Sequence, residues 1–585
     1  MAYYESQINF DFFISFGFYI PTIRTKNPHI SQYSTARSLY FEGITYNMPF
    51  IDGFDDESIL SVGHLGIVAG AYDSLGIANI IDNAIPKTRN HNLTHSQAVK
   101  AMVINGLGFI ERRLYLFPEF FDDIAVERLF GEGISREQIN DDVLGRTLDA
   151  IAEYGPTELF NDIVANCLIP TEYGSHCIHV DTTNFSVTGE YESDFNTEGI
   201  QITYGHPKDG RWDLKRFVLG MASNQHGVPL FLQTFSGNES DKETLRIIIE
   251  KLQNSLKSGE KVYHVADAAF YTEKNLQTLG QHTFWISRVP VIIKEAKELV
   301  KSDCQFIPCD DNRYSYSESF SEYAGIRQKW VMYHSKPMHE QQSKTFDKNL
   351  VKELEKAKTS LRKVCAQEYA CEPDARIAAE KWLEKNHKYQ FSELEILMIQ
   401  RKEEKKRGRP KAGEPLVNSY KITADIEYND SVVEQERQNL GRFVLATNDT
   451  EMSADELLRN YKAQGTVERG FRFLKDKSFR VAEVYLKKNS RIQALAMIMV
   501  LCLFIYSMTE FRLRKMLVQS GETVTSQTKK QTQRPALKWT FFLFRRVREF
   551  SFVEGDKRIK RITNLNDELK KILRLLGGEY EKYYC

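Results

Sequence analysis

The chain has 585 residues, 78 Lys+Arg against 79 Asp+Glu, 42% apolar and 12% aromatic residues. The aromatic share and the 16 prolines exclude a largely disordered chain. At roughly 150 residues per domain, the length predicts about three to four domains. A net charge of −1 argues against the basic footprint that usually marks a nucleic-acid partner. The average hides a polarity, however: residues 118–172 hold 13 Asp/Glu and 3 Lys/Arg, while 509–561 hold 14 Lys/Arg and 5 Asp/Glu. Such asymmetry points to polyanion binding at the basic end. The eight cysteines form no Cys-x-x-Cys pair and have no His at zinc-finger spacing, which argues against structural zinc and fits reduced thiols in the cytoplasm. The N-terminus lacks the basic region and apolar core of a secretory signal. The long apolar run 494–508 is shorter than the ~18–20 residues a bilayer span needs and is flanked by Arg491 and Glu510, so it reads as a buried core helix, with no membrane partner.

In chain order, residues 1–60 are aromatic and irregular. From 61 to 172 the pattern is helical: Thr94-His-Ser-Gln97 is a capping box opening one helix, and Ser135-Arg-Glu-Gln138 is a second box, predicted to open a helix running to Tyr154. From His176 the period changes to that of strands: CIHVDTTNFSVTG, RFVLGMAS and VPLFLQTFSG, the last two joined by a turn at Asn224–Gly227. An amphipathic helix (241–258), a short buried strand (261–267), a brief helix and a strand (282–289) follow. Three adjacent strands, a helix, a strand, a helix and a strand is the order of a ribonuclease-H-like α/β fold, a mixed sheet with helices on its faces.

Residues 291–450 read as an inserted domain, with strands RQKWVMYH, NSYKITADIEY and RFVLATN, a charged helix over about 344–404 and a basic turn at 405–411. Helix returns at 453–475 and 491–517. The expected architecture is thus an α-helical N-terminal domain (61–172, a possible DNA-end binder), a ribonuclease-H-like core in two parts (173–290 and 451–520) around the insertion, and a helical basic C-terminal region (521–585).

Asp181 lies on the first strand of this core and Asp267 ends the fourth, which are neighbours in a ribonuclease-H-like sheet, so the two carboxylates approach one point. Carboxylate oxygens are hard ligands suited to Mg2+ or Mn2+, and paired ions of that kind hold the attacking and leaving oxygens of an in-line phosphoryl transfer. A third carboxylate is expected from the helix ELLRNYKAQGTVERGFRFLKD. There Ala463, Val467, Phe471 and Leu474 form an apolar stripe, and Tyr461, Gln464, Glu468, Arg472 and Lys475 form a second stripe about 100° around the helix. Taken singly, each acid has a bland reading as a turn residue or half of a solvated pair. The combination raises a metal-dependent phosphoryl-transfer site to even weight.

The set resembles the DDE transposases of bacterial insertion sequences, in the branch marked by a Tyr-x2-Arg-x3-Glu-x6-Lys motif. Tyr461, Glu468 and Lys475 match that spacing; the Arg position is Gln464. HVDTTN and VADAAF resemble the family's two aspartate motifs, TFWISRVP its following strand, and the segment from VGHLGIVAGAYDSLGI to AVKAMVINGLGF the helical leader of one subgroup. The resemblance implies that Asp181, Asp267 and Glu468 bind Mg2+ (or Mn2+), and that Tyr461 and Lys475 touch DNA near the cleaved phosphate. It implies that Gln464 keeps a hydrogen bond without the charge of Arg, with Arg469 or Arg472 supplying that charge. It further implies cleavage at the element's ends, strand transfer into target DNA and a homodimer on double-stranded DNA, in the bacterial cytoplasm at the nucleoid. The alternatives are a catalytically inactive or repurposed DNA-binding derivative, and a ribonuclease-H-like nuclease without strand transfer.

Two further segments suit DNA. Arg407-Gly-Arg409-Pro410-Lys411 matches the short core of minor-groove AT-hooks, against the plainer reading of a solvated basic linker. The tail interleaves aromatics with bases from Lys538 to Arg546; its aromatics are expected to pack, with Arg545, Arg546 and Arg548 outward to follow a phosphate backbone.

Overall fold

The computed structural model describes residues 58–87, 93–109, 117–167, 176–189, 191, 199–207, 210–255, 261–280, 283–402, 416–476, 488–554 and 557–585. The leader begins with a short strand, β1 (Ser58–Ser61), followed by α1 (Leu65–Ser74), α2 (Ile77–Ala84), α3 (His95–Leu107), the short α4 (Phe117–Phe120) and α5 (Val126–Phe130), α6 (Asp141–Tyr154) and α7 (Pro156–Cys167). Thr94 opens α3 as a reciprocal box: Gln97 N donates to Thr94 Oγ1 at 3.3 Å and Thr94 N donates to Gln97 Oε1 at 3.0 Å. The Ser135 box closes only a 3₁₀ turn, Arg136–Gln138; the helix predicted from there starts later, because Asn140 caps α6 by accepting from Val143 N at 3.1 Å.

The central sheet takes up β2 (Cys177–Val187), β3 (Lys215–Asn224), β4 (Pro229–Ser236), β5 (Tyr263–Ala266) and β6 (Phe284–Arg288) in the order β4-β3-β2-β5-β6. β2, β3 and β4 are successively antiparallel, while β5 runs parallel to both β2 and β6. Alternation along β2 sends Ile178 and Val180 to one face, where with Val218 and Ala222 they pack on Leu245, Ile248, Ile249 and Leu252 of α8 (Asp241–Ser255). α9 (Glu273–Leu279) and α10 (Lys294–Lys301) cover the same face further along, through Leu276, Leu279 and Ala296.

The sheet does not stop at β6. β7 (Ile307–Pro308), β8 (Tyr314–Ser321), β9 (Gln328–Ser335) and β13 (Arg442–Thr447) extend it to nine strands in the order β6-β13-β9-β8-β7. Much of the segment expected as an insertion therefore belongs to the main sheet. What leaves the sheet is α11 (Lys336–Cys365), β10 (Glu368–Tyr369), α12 (Glu372–Lys385), β11 (Tyr389–Lys402), β12 (Leu416–Tyr428) and α13 (Asp430–Gln438). Here β10, β12 and β11 form a separate three-stranded sheet over a small core that includes Leu361, Trp382, Tyr389, Ile422 and Ile426. The single charged helix expected over 344–404 is two helices and a strand: it ends at Cys365, Pro373 opens the second, and Leu394 and Ile396 alternate with Glu393 and Glu395 at the period of a strand.

The chain then forms α14 (Ala454–Lys462), α15 (Gly465–Leu474), α16 (Asn489–Ser520), the small hairpin β14 (Val524–Thr525) and β15 (Gln531–Thr532), α17 (Leu537–Phe544), the hairpin β16 (Arg548–Glu554) and β17 (Lys557–Thr563), α18 (Asp567–Leu576) and α19 (Gly578–Glu581). The C-terminal region, expected to be helical, thus carries two hairpins. α16 is long and apolar enough to cross a membrane, and 83% of its apolar window is buried inside the fold. Its Leu501 and Phe504 share one core with Ile67, Val103, Leu148 and Phe160 of the leader and with Ile572 and Leu576 of α18. The leader is accordingly packed as one body with the C-terminal region, since neither amphipathic set closes a core alone.

Backbone and charge join the same two segments. β1 pairs antiparallel with β16, and Tyr584 Oη donates to Gly63 O at 2.7 Å while accepting from Ile67 N at 3.0 Å. α1 packs close because Gly66 and Gly70 lack side chains: an added Cβ would lie 2.7 Å from Tyr584 Cζ or from Tyr580 Cα. Across this boundary Lys560 pairs with Glu127 at 2.7 Å, Arg491 with Asp149 at 2.6 Å, and Arg128 with Glu549.

Candidate active site and DNA-facing surface

The parallel ladder between β2 and β5 pairs Cys177 with Tyr263, Ile178 with His264 and His179 with Val265. The ladder stops at that pair; continued by two steps it would bring Asp181, in the middle of β2, level with Asp267, which follows the last residue of β5. Equal register means equal face. Cys177, Tyr263 and Val265 pack on Leu457 and Leu458 of α14, so the two aspartates belong to the face that carries α14 and α15, opposite α8. Asp181 Oδ1 accepts from Thr182 N at 2.7 Å and Asp267 Oδ1 from Ala269 N at 2.9 Å. The buried Ser287 donates through Oγ to Asp267 O at 2.9 Å, which fixes the strand end. Sequence reasoning passed over Ser287, because its role depends on the β5–β6 register, where it pairs with Ala266.

Below the aspartates on that face lies His179, fully buried, with both ring nitrogens unpartnered. Burial pushes its pKa down to about 4, so the ring is neutral at neutral pH. His264, on the opposite face of β5, is equally buried and pushed down to about 4; its Nε2 lies 3.2 Å from Gln253 Oε1.

The helix expected over 453–475 is broken. Gln464 N and Thr466 N accept the tighter i−3 pattern, donating to Tyr461 O at 3.1 Å and Ala463 O at 2.9 Å, and this junction separates α14 from α15. α14 covers β5, β6 and β13, whereas α15 lies on β2 and β3. Val467, Phe471 and Leu474 are buried in the core that includes Phe185. Gly470 brings α15 close: an added Cβ would lie 3.1 Å from Met221 Cε, and Met221 is the β3 register partner of Asp181. Glu468, two residues earlier, is exposed, as are Arg472 and Lys475. The Lys475 ammonium lies 5.6 Å from the centre of the Phe185 ring, four residues beyond Asp181 on the same face of β2. Tyr461 is half-buried against the cluster under α14.

Gln464 departs from its expected place. It is only 7% exposed, where α14 meets α15. Arg548 is also corrected: its Nη1 donates to Ser61 Oγ at 3.2 Å and to Arg545 O at 2.9 Å, which ties it inward at the β1–β16 pairing. Arg545 and Arg546 are exposed. The AT-hook-like Arg407, Arg409 and Lys411 lie outside the described residues.

The carboxylates of Asp181 and Asp267 are hard oxygen donors that suit a divalent cation. Among the described residues no three His, Cys, Asp or Glu side chains converge closely enough to hold an ion.

Residues 173–505, more than half of the chain, match the family model of the transposase DDE domain. The chain belongs to the DDE transposases. In this transposase residues 57–165 match a second family model, a domain of unknown function (DUF4277), which coincides with the helical leader. No curated protein matches the chain. The family is one of DNA-binding enzymes of DNA recombination, and its matched span ends inside α16, so the helix that fills the common core also closes the transposase domain.

Proposed function

We propose that this transposase cuts DNA at the ends of its own element and joins the exposed 3′ end to target DNA, with Asp181, Asp267 and Glu468 as the ligands of Mg2+ or Mn2+. The observation that supports the reading is the β2–β5 register, whose continuation would bring Asp181 level with Asp267 on the face where α15, the helix of Glu468, lies on β2. A bound divalent ion supplies positive charge to the reacting phosphate and lowers the pKa of an attacking water. In the first step a water oxygen forms the new bond to phosphorus, and the 3′ oxygen leaves with its electron pair and takes up a proton. In the second step that 3′-hydroxyl oxygen attacks a target phosphorus and another 3′ oxygen leaves.

The chain's own residues position the strand. Lys475, held beside Phe185, neutralises a phosphate next to the carboxylates, and Tyr461 contacts the same strand from the end of α14. Arg472 supplies the charge that the buried Gln464 does not, and Arg545 and Arg546 hold the backbone further out. Two ends must be brought together for paired joining, so the working form is a homodimer on double-stranded DNA in the bacterial cytoplasm.

The test is joining of labelled element ends to plasmid DNA by the purified chain with Mg2+. Mg2+-dependent joined product is expected. Cleavage without any joining would reduce the protein to a nuclease.

A further inference from the structure

The segment 523–548 contains no Asp or Glu and seven Lys/Arg. It folds as the β14–β15 hairpin and α17, and Lys529, Lys530, Arg534, Lys538, Arg545 and Arg546 are all exposed. One side of α17 carries a column of flat groups at helical spacing. The Trp539 and Phe542 rings stack with centroids 5.0 Å apart and planes 24° from parallel, and the Arg545 guanidinium lies 3.6 Å from the centre of the Phe542 ring. The column is anchored at both ends: Trp539 Nε1 donates to Thr525 O at 2.8 Å, and Arg545 Nη1 donates to Phe542 O at 3.1 Å. Phe542 nonetheless remains 45% exposed, while Phe541 and Phe544 on the other side fill the core.

This surface continues from the candidate active site. Lys538 pairs with Asp476, just past the end of α15, at 3.2 Å, and Phe473 of α15 packs on Tyr506, which meets Phe541 of α17 edge-on. A strand leaving Glu468 and Lys475 along α15 therefore runs onto α17.

We propose that the Trp539–Phe542–Arg545 column is a stacking platform for an unpaired nucleotide at the end of a duplex, and that the cations around it hold the adjoining phosphates. The inference rests on the DNA-cutting reading for its partner and adds the form of DNA bound. Bases inside a duplex keep their faces in the helical stack and only the terminal pair shows one, so a solvent-facing aromatic and guanidinium column meets a π-face most readily on an unpaired base. Phosphate binding alone requires no aromatic ring beneath the cation, and here the guanidinium lies 3.6 Å from the centre of one.

The experiment measures binding of the full chain, without divalent metal, to a blunt duplex and to the same duplex with a short single-stranded extension. The wild type is expected to prefer the extended probe. Phe542→Ala is expected to weaken the extended probe by about tenfold, the scale of one base–aromatic stack, and to leave the blunt probe nearly unchanged, while Arg545→Lys is expected to weaken the extended probe clearly more than the blunt one. Arg545→Lys keeps the charge, so its salt dependence should match the wild type. Equal affinity of the wild type for both probes, equal weakening of both by the variants, or no effect would each overturn the proposal. Failure of the catalytic reading would appear elsewhere, as DNA cleavage that persists without the carboxylates.

Discussion

Register decides the chemistry at the residue scale. A slip of one residue between β2 and β5 would turn one aspartate to the α8 face and separate the pair, because side chains alternate with period two. Asp181 and Asp267 were legible in the sequence since each stands on a strand whose alternation is clear, and the strand order follows from the order of elements. Ser287 and His179 were not, because their roles come from a neighbouring strand and from burial. Gln464 misled for a related reason: it stands one turn before Glu468 on the same stripe, yet the packing around the junction of α14 and α15 buries it, which the local pattern does not encode. Burial has its own pH signature at His264. Its pKa falls from 6.5 to about 4 on folding, so the unfolded chain binds the proton first as pH drops. The stability that depends on neutral His264 is fully present above about pH 6.5 and is lost as pH falls towards 4, a change of up to about 3 kcal/mol. Urea midpoints at neutral and mildly acidic pH should therefore converge in His264→Gln relative to the wild type; an unchanged acid slope in the variant would contradict this.

At the scale of elements, periodicity predicted most helices and strands and failed where two periods meet. Residues 389–402 follow a charged helical stretch closely, and their alternation of Leu394 and Ile396 with Glu393 and Glu395 was absorbed into a helix prediction. β9 and β13 were recognised as strands, yet their membership of the central sheet rests on pairing across more than a hundred residues, which local patterns do not encode. The contact of α1 with α19 was equally hidden, although Gly66 and Gly70 mark it at helical spacing. Gly70→Ala places a Cβ 2.7 Å from Tyr580 Cα and 2.9 Å from Glu579 O, and backbone cannot step aside as a flexible side chain can. We expect a loss of about 1–3 kcal/mol, read as a lower thermal midpoint. An unchanged midpoint would show that α19 is loosely held.

For the whole molecule, near-neutral charge conceals an internal match. The acidic leader and the basic C-terminal region pack as one body, Lys560 pairing with Glu127, and Arg548, one of the bases that would advertise DNA binding, is tied to Ser61 of the leader. The acid-free surface of α17 and the exposed side of α15 remain outward, beside the carboxylate edge. Neutrality is thus compatible with a polyanion site, because the charges that cancel in the sum lie on different surfaces. The central claim is that Asp181, Asp267 and Glu468 act together as metal-dependent catalytic acids. The most direct measurement compares Asp181→Asn, Asp267→Asn and Glu468→Gln with the wild type for Mg2+-dependent cleavage of the element's ends and for binding of the same DNA. Each variant is expected to lose cleavage by at least about a thousandfold, the scale of losing an essential catalytic group, while DNA binding and folding are retained. Near wild-type cleavage by any one of the three would contradict it.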